Sequence, residues 1–195
     1  MALKDLICEE ISCEHLVQDQ WIDFRRSAYR FPDGRVFEPY YSYTRRDYAV
    51  IVASDEEGRF LCVRQFRHGI GQITNEFPAG GIERKDGKEY GSSQDLSAED
   101  ALDAAKRELL EETGYESYEW RHLLTVPSNA TIADNYAYLF EAKNCRKVSG
   151  QSLDDTEFLN VHKVSGQEIK DMIKTGRFQQ AVHILAFTLS KTDFS

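Results

Sequence analysis

The side chains best suited to chemistry crowd one stretch of the sequence, which reads RELLEETG from Arg107 to Gly114. Apolar residues recur at three- and four-residue intervals through this region, which predicts a helix with one buried stripe. On such a helix Glu108, Glu111 and Glu112 lie close together, and Glu108 repels Glu112 by about 0.2–0.5 kcal/mol because like charges stand at i and i+4. A divalent cation would neutralise this repulsion, and Mg²⁺ is the natural ion for carboxylate oxygens that face a phosphate.

An ordinary solvated acidic face would carry the same three Glu residues without binding a metal ion. Arg107 stands one turn before Glu111 and is predicted to pair with it, which would fix the orientation of that carboxylate. Ser97 is the predicted N-cap, with Asp100 as its return partner, and Gly114 can take the left-handed conformation that ends a helix. These signals predict a helix between residues 99 and 114.

The residues upstream favour the metal site over the solvated face. The run EFPAGG from Glu76 to Gly81, then Glu99, then RELLEETGY from Arg107 to Tyr115 resembles the signature of Nudix hydrolases. That signature is a Gly, five residues, a Glu, seven residues, and then Arg-Glu-apolar-any-Glu-Glu-any-Gly-apolar. Eighteen residues separate Gly80 from Glu99 where the family has five, so thirteen additional residues interrupt the motif. Much of this insertion is a polar loop at about 84–97.

Strand and helix signals around the motif predict an α/β fold, and the resemblance implies a Nudix-type α/β/α sandwich over residues 46–195. Residues 1–45 are predicted to form a small N-terminal antiparallel β segment with a hairpin turn at Pro32-Asp33-Gly34. After the acidic helix, Ser165 and Glu168 form a capping-box pattern that opens a second helix, and a final helix is predicted from Arg177. A sheet as small as the N-terminal one must pack on the main body or on a second subunit.

Additional residues resemble the branch of the family that hydrolyses ADP-ribose and related nucleoside diphosphate sugars. They are the run from Val63 to Arg67, the Glu-Phe-Pro-Ala-Gly turn and Pro127-Ser128. The resemblance implies Mg²⁺-dependent hydrolysis of ADP-ribose to AMP and ribose 5-phosphate, with Mn²⁺ as the alternative ion. The alternatives are the same reaction on GDP-mannose or UDP-glucose and, from a different class, a non-catalytic nucleotide-sugar sensor.

The same resemblance implies a set of metal ligands and an orienting cation. Glu108, Glu111 and Glu112 would hold the metal ion by their positions in the motif. The backbone carbonyl of Ala79 would be an additional ligand, and Arg107 would orient the carboxylates rather than contact the substrate.

Roles in substrate binding and proton transfer are also implied by the resemblance. Arg67 matches a substrate-contacting Arg of the branch, and a planar guanidinium suits phosphate or ribose recognition. Arg45 or Arg46 would supply a second cation. The general base of the branch falls on Asp155, with Glu157, two residues later, as the alternative.

Bulk properties restrict the class of protein. The chain has 195 residues, enough for one full domain, and its net charge of −9 argues against a general affinity for nucleic acid. No stretch approaches the ~20 apolar residues of a membrane span. Its four Cys residues are scattered, which predicts thiols in a reducing cytosol and a cytoplasmic protein. Members of the resembling branch are typically homodimers that bind a small molecule, and the same is expected here.

Overall fold

The computed structural model describes residues 6–19, 21–83 and 100–192, which divide into two compact units. One unit contains the described residues up to Asp47 together with Pro127–Tyr136. The other contains Tyr48–Glu83, the residues from 100 to Val126, and Ala137 onward. The predicted polar loop at 84–97 and the motif residue Glu99 lie outside the described residues.

The first unit contains a three-stranded antiparallel sheet in the order β1-β2-β3. Its strands are β1 (Glu9–Gln18), β2 (Asp23–Arg30) and β3 (Val36–Thr44). The turn between β2 and β3 passes through Gly34, whose φ of +88° is a conformation that favours glycine. The predicted antiparallel β segment and its hairpin are therefore confirmed.

The second unit is built around a mixed sheet of eight strands. The central path is β11-β5-β4-β10-β8, with β6 paired to β5, β7 to β4 and β9 to β10. β4 runs parallel to β10 and antiparallel to β5 and β7. The strands are β4 (Tyr48–Asp55), β5 (Phe60–Arg67), β6 (Gln72–Glu76), β7 (Ala79–Gly81), β8 (Tyr115–Glu116), β9 (Glu119–Pro127), β10 (Tyr136–Lys147) and β11 (Leu159–Val164).

Helices cover both faces of this sheet, and its central strand β4 is therefore buried on both sides. Side chains such as Ala49 and Ile51 pack with the apolar stripe of α1 (Ala101–Thr113), whereas Val50 and Val52 point to the other core. That other core contains residues of α2 (Gly166–Lys174) and α3 (Ala181–Ser190). The architecture is the predicted α/β/α sandwich. No helix in the described part of the chain is long and apolar enough to cross a lipid bilayer.

The helix ends agree with the predictions in part. Asp100, not the predicted Ser97, is the N-cap of α1, and its carboxylate accepts a hydrogen bond from the Leu102 amide at 2.9 Å. Asp caps a helix as well as Ser does, so residue type alone did not exclude a cap three residues later than the predicted one. Gly114 ends α1 in the left-handed conformation as predicted, with φ of +72°. The capping box before α2 is confirmed, and the final helix begins at Ala181 rather than Arg177.

Candidate active site

Three carboxylates from two segments meet beside the last two turns of α1. Glu108 and Glu112 lie one turn apart on α1 and are buried, with 6% and 2% of their surface exposed. Glu157 reaches them from the segment that precedes β11. One carboxylate oxygen from each of these residues lies within 4.8 Å of the other two. We call these three residues the carboxylate cluster.

Arg107 is hydrogen-bonded to two of the predicted metal ligands. Its Nη1 donates to Glu108 Oε1 at 2.7 Å and to Glu111 Oε2 at 3.0 Å, which confirms the predicted pair with Glu111. Its Nη2 donates to the carbonyl oxygen of Gly81 at 2.9 Å. Arg107 thus joins α1 to the end of β7. Glu111 is more exposed than its two neighbours and lies outside the carboxylate cluster, so its role as a ligand stays a prediction.

The backbone of β7 contacts both buried carboxylates of α1. The amide of Ala79 donates to Glu112 Oε2 at 3.0 Å. Gly80 lies so close to Glu108 that a Cβ at this position would stand 2.0 Å from the Glu108 Cδ. A glycine is therefore required for this approach of strand and side chain. Ala79 is at the site, as predicted, and ligation by its carbonyl stays a prediction.

The electrostatics of the cluster favour a cation. Burial raises the pKa of Glu108 to about 7, and the charge of Arg107 opposes this shift only in part. Burial, and then the charge of Glu108, raise the pKa of Glu112 well above its usual value. Even beside Arg107, the Glu108 carboxyl therefore tends to hold a proton near neutral pH, and the surroundings of Glu112 also favour its protonated form. A divalent ion would stabilise their ionised forms.

The donor set fits Mg²⁺. All three groups of the cluster are carboxylate oxygens, the ligand type that Mg²⁺ prefers, and two oxygens on opposite sides of one Mg²⁺ are about 4.2 Å apart. Ligands at right angles on such an ion are about 3.0 Å apart, so an ion bound by Glu108 and Glu112 would draw these two carboxylates together, with Glu157 beside them. The glycine at position 80 keeps the space beside Glu108 clear of a side chain.

An ion pair between the partly exposed Arg67 and the buried Glu76 lies at the end of β5. The Nε of Arg67 donates to both oxygens of Glu76, at 2.9 and 3.1 Å, and its Nη2 also donates to Glu76. Glu76 is fully buried and also accepts from Thr74 and, at 3.4 and 3.3 Å, from Gln65 and Gln180. Burial by itself raises the pKa of Glu76, but the hydrogen bonds and charge of Arg67 lower it below its usual value. Three hydrogen bonds therefore join Arg67 to Glu76.

The other predicted site residues are separated from the cluster or lie in the other unit. Asp155 is exposed, and the cluster among the described residues takes Glu157 instead. Arg46 belongs to the first unit, where its carbonyl accepts from Asn135 Nδ2 at 2.9 Å. Arg45, its alternative, is exposed in the same unit. The roles predicted for these residues are untested by the geometry.

Three residues at or near the site were not predicted as functional. Glu76 and Gly80 both lie within the EFPAGG run of the motif. The motif indicated that this segment matters, but it did not indicate which residues Glu76 and Gly80 contact. His183 accepts from the Phe77 amide at 3.1 Å, and burial lowers the pKa of this imidazole to about 4. It lies 106 residues from Phe77, so no local spacing could have indicated the contact.

Comparison with known proteins places these features in context. Residues 44–184 match the family described as NUDIX domain. The chain is similar to a methanol dehydrogenase activator from Bacillus methanolicus, with 28% identity over 137 residues that cover 70% of this chain and 67% of that protein. It is also similar to the ADP-ribose pyrophosphatase of Bacillus subtilis (strain 168), with 25% identity over 174 residues that cover 89% and 86%.

Two further comparisons extend this similarity. An ADP-ribose pyrophosphatase of Mycobacterium tuberculosis is 28% identical over 145 residues, which cover 72% of this chain and 61% of that protein. The crystal structure of an ADP compounds hydrolase superimposes with a TM-score of 0.77 at 18% identity and covers 94% of this chain and 92% of that one. At that identity the superposition shows a common fold.

Proposed function

Because the chain belongs to the NUDIX domain family and is therefore a hydrolase of pyrophosphate bonds, we propose that it cleaves ADP-ribose to AMP and ribose 5-phosphate with Mg²⁺. The observation that carries this proposal is the carboxylate cluster, in which one oxygen each of Glu108, Glu112 and Glu157 lies within 4.8 Å of the other two, beside Gly80 of β7. Two similar proteins are described as ADP-ribose pyrophosphatases. Mn²⁺ is the alternative ion, because it accepts the same oxygen ligands.

The residues of α1 would hold the metal ion and keep its ligands in place. Glu108 and Glu112 would bind it directly, with Glu111 and the Ala79 carbonyl as further ligands. A bound divalent ion would neutralise the phosphate oxygens and lower the pKa of the attacking water. Arg107 would keep the Glu108 and Glu111 carboxylates oriented through its two hydrogen bonds. The Ala79 amide would keep the Glu112 carboxylate oriented through its own hydrogen bond.

Arg67 would bind the substrate through the part of its guanidinium that Glu76 leaves unused. The pair with Glu76 occupies Nε and Nη2, so within the described part of the chain Nη1 is the nitrogen left for a phosphate or ribose oxygen. Because Glu76 is fully buried and hydrogen-bonded, this nitrogen is held in one position before the substrate arrives. Arg46 would contribute a second cation.

Glu157 would be the general base. Its carboxylate belongs to the cluster, where it could accept the proton of a water directed at the diphosphate. Asp155 is exposed in the same segment and is the alternative. The choice of Glu157 is supported by its position beside Glu108 and Glu112.

A homodimer and a cytoplasmic location complete the proposal. The strand β1 is exposed along its whole length, and three of its exposed side chains are large and apolar, namely Ile11, Leu16 and Val17. Such a surface favours contact with a second copy. The four cysteines are free, which fits a reducing compartment. Light scattering after gel filtration would measure the mass in solution.

The proposed reaction is tested with a panel of substrates. Release of phosphate monoester from ADP-ribose, GDP-mannose, UDP-glucose, NADH and diadenosine polyphosphates is followed with a coupled phosphatase, with Mg²⁺ and with EDTA. Metal-dependent cleavage of ADP-ribose above the others, lost in Glu112→Gln, supports the proposal. Preference for another nucleotide sugar would replace the substrate, and binding of ADP-ribose without cleavage would favour the sensor.

A further inference from the structure

The C-terminal end of α1 is capped by a distant part of the chain. The last carbonyls of a helix have no partner within the helix and need one elsewhere. Here they accept hydrogen bonds from residues 147–152, which we call the capping segment. Glu111 O accepts from the Ser152 amide (2.9 Å), Glu112 O from Gln151 Nε2 (2.7 Å), Thr113 O from Lys147 Nζ (3.2 Å), and Gly114 O from the amides of Val148 and Ser149 (2.9 and 3.2 Å).

The fit between helix end and capping segment is close. A Cβ on Gly114 would stand 2.3 Å from the carbonyl oxygen of Ser149, so the two backbones touch at this point. Gln151 contributes the shortest of the hydrogen bonds to α1, and it does so with its side chain. Its Nε2 binds the carbonyl of Glu112, whose own carboxylate belongs to the cluster.

The capping segment leads directly to Glu157. Five residues beyond Ser152, the chain places the Glu157 carboxylate against Glu108 and Glu112. Five residues span at most about 18 Å, so an anchor at Gln151 and Ser152 limits where Glu157 can lie. The hydrogen bonds of Gln151 and Ser152 therefore tie the segment that carries Glu157 to the same turn of α1 that carries Glu112.

We propose that Gln151 is a positioning residue that holds Glu157 in register with the carboxylates of α1. This inference rests on the proposed function, in which Glu157 acts on the attacking water. The side-chain amide of Gln151 acts through the Glu112 carbonyl and the capping segment, and it contacts neither metal nor substrate. A misplacement of about 1 Å at a reacting group lowers a rate by on the order of 10²-fold. Loss of one anchor is expected to lower kcat by about tenfold or more.

The test uses Gln151→Met, which keeps the length of the side chain and removes its donor, and Gln167→Met as the matched control. Gln167 lies on α2, and its Nε2 bonds the exposed Asp171 at 3.0 Å. We expect Gln151→Met to lower kcat for ADP-ribose about tenfold, with KM within about twofold and the melting temperature nearly unchanged. Gln167→Met should leave both constants at their wild-type values.

A double variant separates positioning of Glu157 from a general effect on the fold. If Gln151 acts through Glu157, Gln151→Met should cause little further loss of kcat in the background of Glu157→Gln. An equal loss of kcat in both backgrounds would overturn the proposal, because Gln151 would then act through α1 alone. A loss confined to KM would overturn it as well.

Hydrogen exchange distinguishes failure of this proposal from failure of the proposed function. If the wild-type protein cleaves no member of the substrate panel, the proposed reaction is wrong, but the anchor can still be measured. Gln151→Met should then raise amide exchange between Ser152 and Glu157 by about tenfold or more, while the central amides of α1 keep their protection. Unchanged exchange in this segment would show that Gln151 does not hold it.

Discussion

Gly80 and the carboxylate of Glu108 lie in direct contact, so close that a Cβ on residue 80 would stand 2.0–2.2 Å from all three carboxyl atoms. The other side of that carboxylate is held by Arg107 Nη1 at 2.7 Å. The Glu108 carboxylate is thus fixed between a strand and a cation. Its position depends on the absence of a side chain from residue 80.

Gly80→Ala should therefore disable the site without unfolding the protein. The φ of Gly80 is outside the left-handed region, so alanine is compatible with the backbone, and the clashing atoms belong to the flexible end of a side chain. We expect turnover to fall by on the order of 100-fold because the carboxylate is displaced. Gly69→Ala is the control, since no atom of the described residues lies within 4 Å of a Cβ at that position. Wild-type turnover in Gly80→Ala would show that the position of Glu108 is unimportant.

The two candidates for the general base give opposite expectations. Glu157→Gln should lower kcat by about 10²–10⁴-fold, the usual contribution of general acid–base catalysis. Asp155→Asn should change kcat less than about threefold, because the exposed Asp155 lies outside the cluster. Steady-state kinetics on both variants decide the matter, and the reverse order of effects would assign the role to Asp155.

Stability of the metal-free protein should depend on the protonation of Glu108. Burial raises the pKa of Glu108 from 4.5 to about 7, so between these values the folded state binds a proton that the unfolded chain has released. The contribution of this carboxyl to the free energy of unfolding is complete below pH 4.5. It decreases by about 3 kcal/mol as the pH rises to about 7.

Urea unfolding in EDTA at several pH values measures this contribution. The stability of Glu108→Gln relative to the wild type should increase by about 3 kcal/mol from pH 4.5 to pH 7. Glu57→Gln, at an exposed position, is the control for the substitution itself. Added Mg²⁺ should stabilise the wild type more at pH 8 than at pH 5, since the ligands bind it in their ionised form. A flat difference between Glu108→Gln and wild type would contradict the burial argument.

The titration of His183 should change the free energy of unfolding with pH in the direction opposite to that of Glu108. Burial lowers the pKa of His183 from 6.5 to about 4, so between these values the unfolded chain binds a proton that the folded state excludes. Its contribution to the free energy of unfolding is complete above pH 6.5 and decreases by about 3 kcal/mol as the pH falls to about 4. In the wild type this change opposes that of Glu108 over nearly the same range, so each must be measured as a difference between variant and wild type.

His183→Asn isolates this contribution. Asparagine can still accept the hydrogen bond of the Phe77 amide but does not titrate, so the variant should lose less stability in acid than the wild type. The smaller side chain adds a cost that does not depend on pH. His122→Asn is the control, because His122 is exposed and its Nε2 is hydrogen-bonded to the nearby Thr125 hydroxyl at 2.9 Å. Equal acid sensitivity of His183→Asn and wild type would refute the assignment.

The sequence by itself determined the elements whose signals are local. The three- and four-residue apolar repeat, with Gly114 at its end, predicted α1, and its motif placed Glu108, Glu111 and Glu112 on it. Continuous apolar runs predicted the strands around the motif, and a capping box predicted the start of α2. These succeed because helix periodicity and caps act over about four residues, a distance that the order of residue types records directly.

The tertiary structure alone decided which residues meet these elements. Glu157 rather than Asp155 lies beside the carboxylates of Glu108 and Glu112. Gly80 contacts the Glu108 carboxylate, and Gln151 caps the helical turn that carries Glu112. The Gln151 contact joins residues 39 positions apart, and the Ala79 contact with Glu112 joins residues 33 apart. Such separations leave no periodic trace in a single sequence, because they are set by how the sheet and helices pack rather than by local chain geometry.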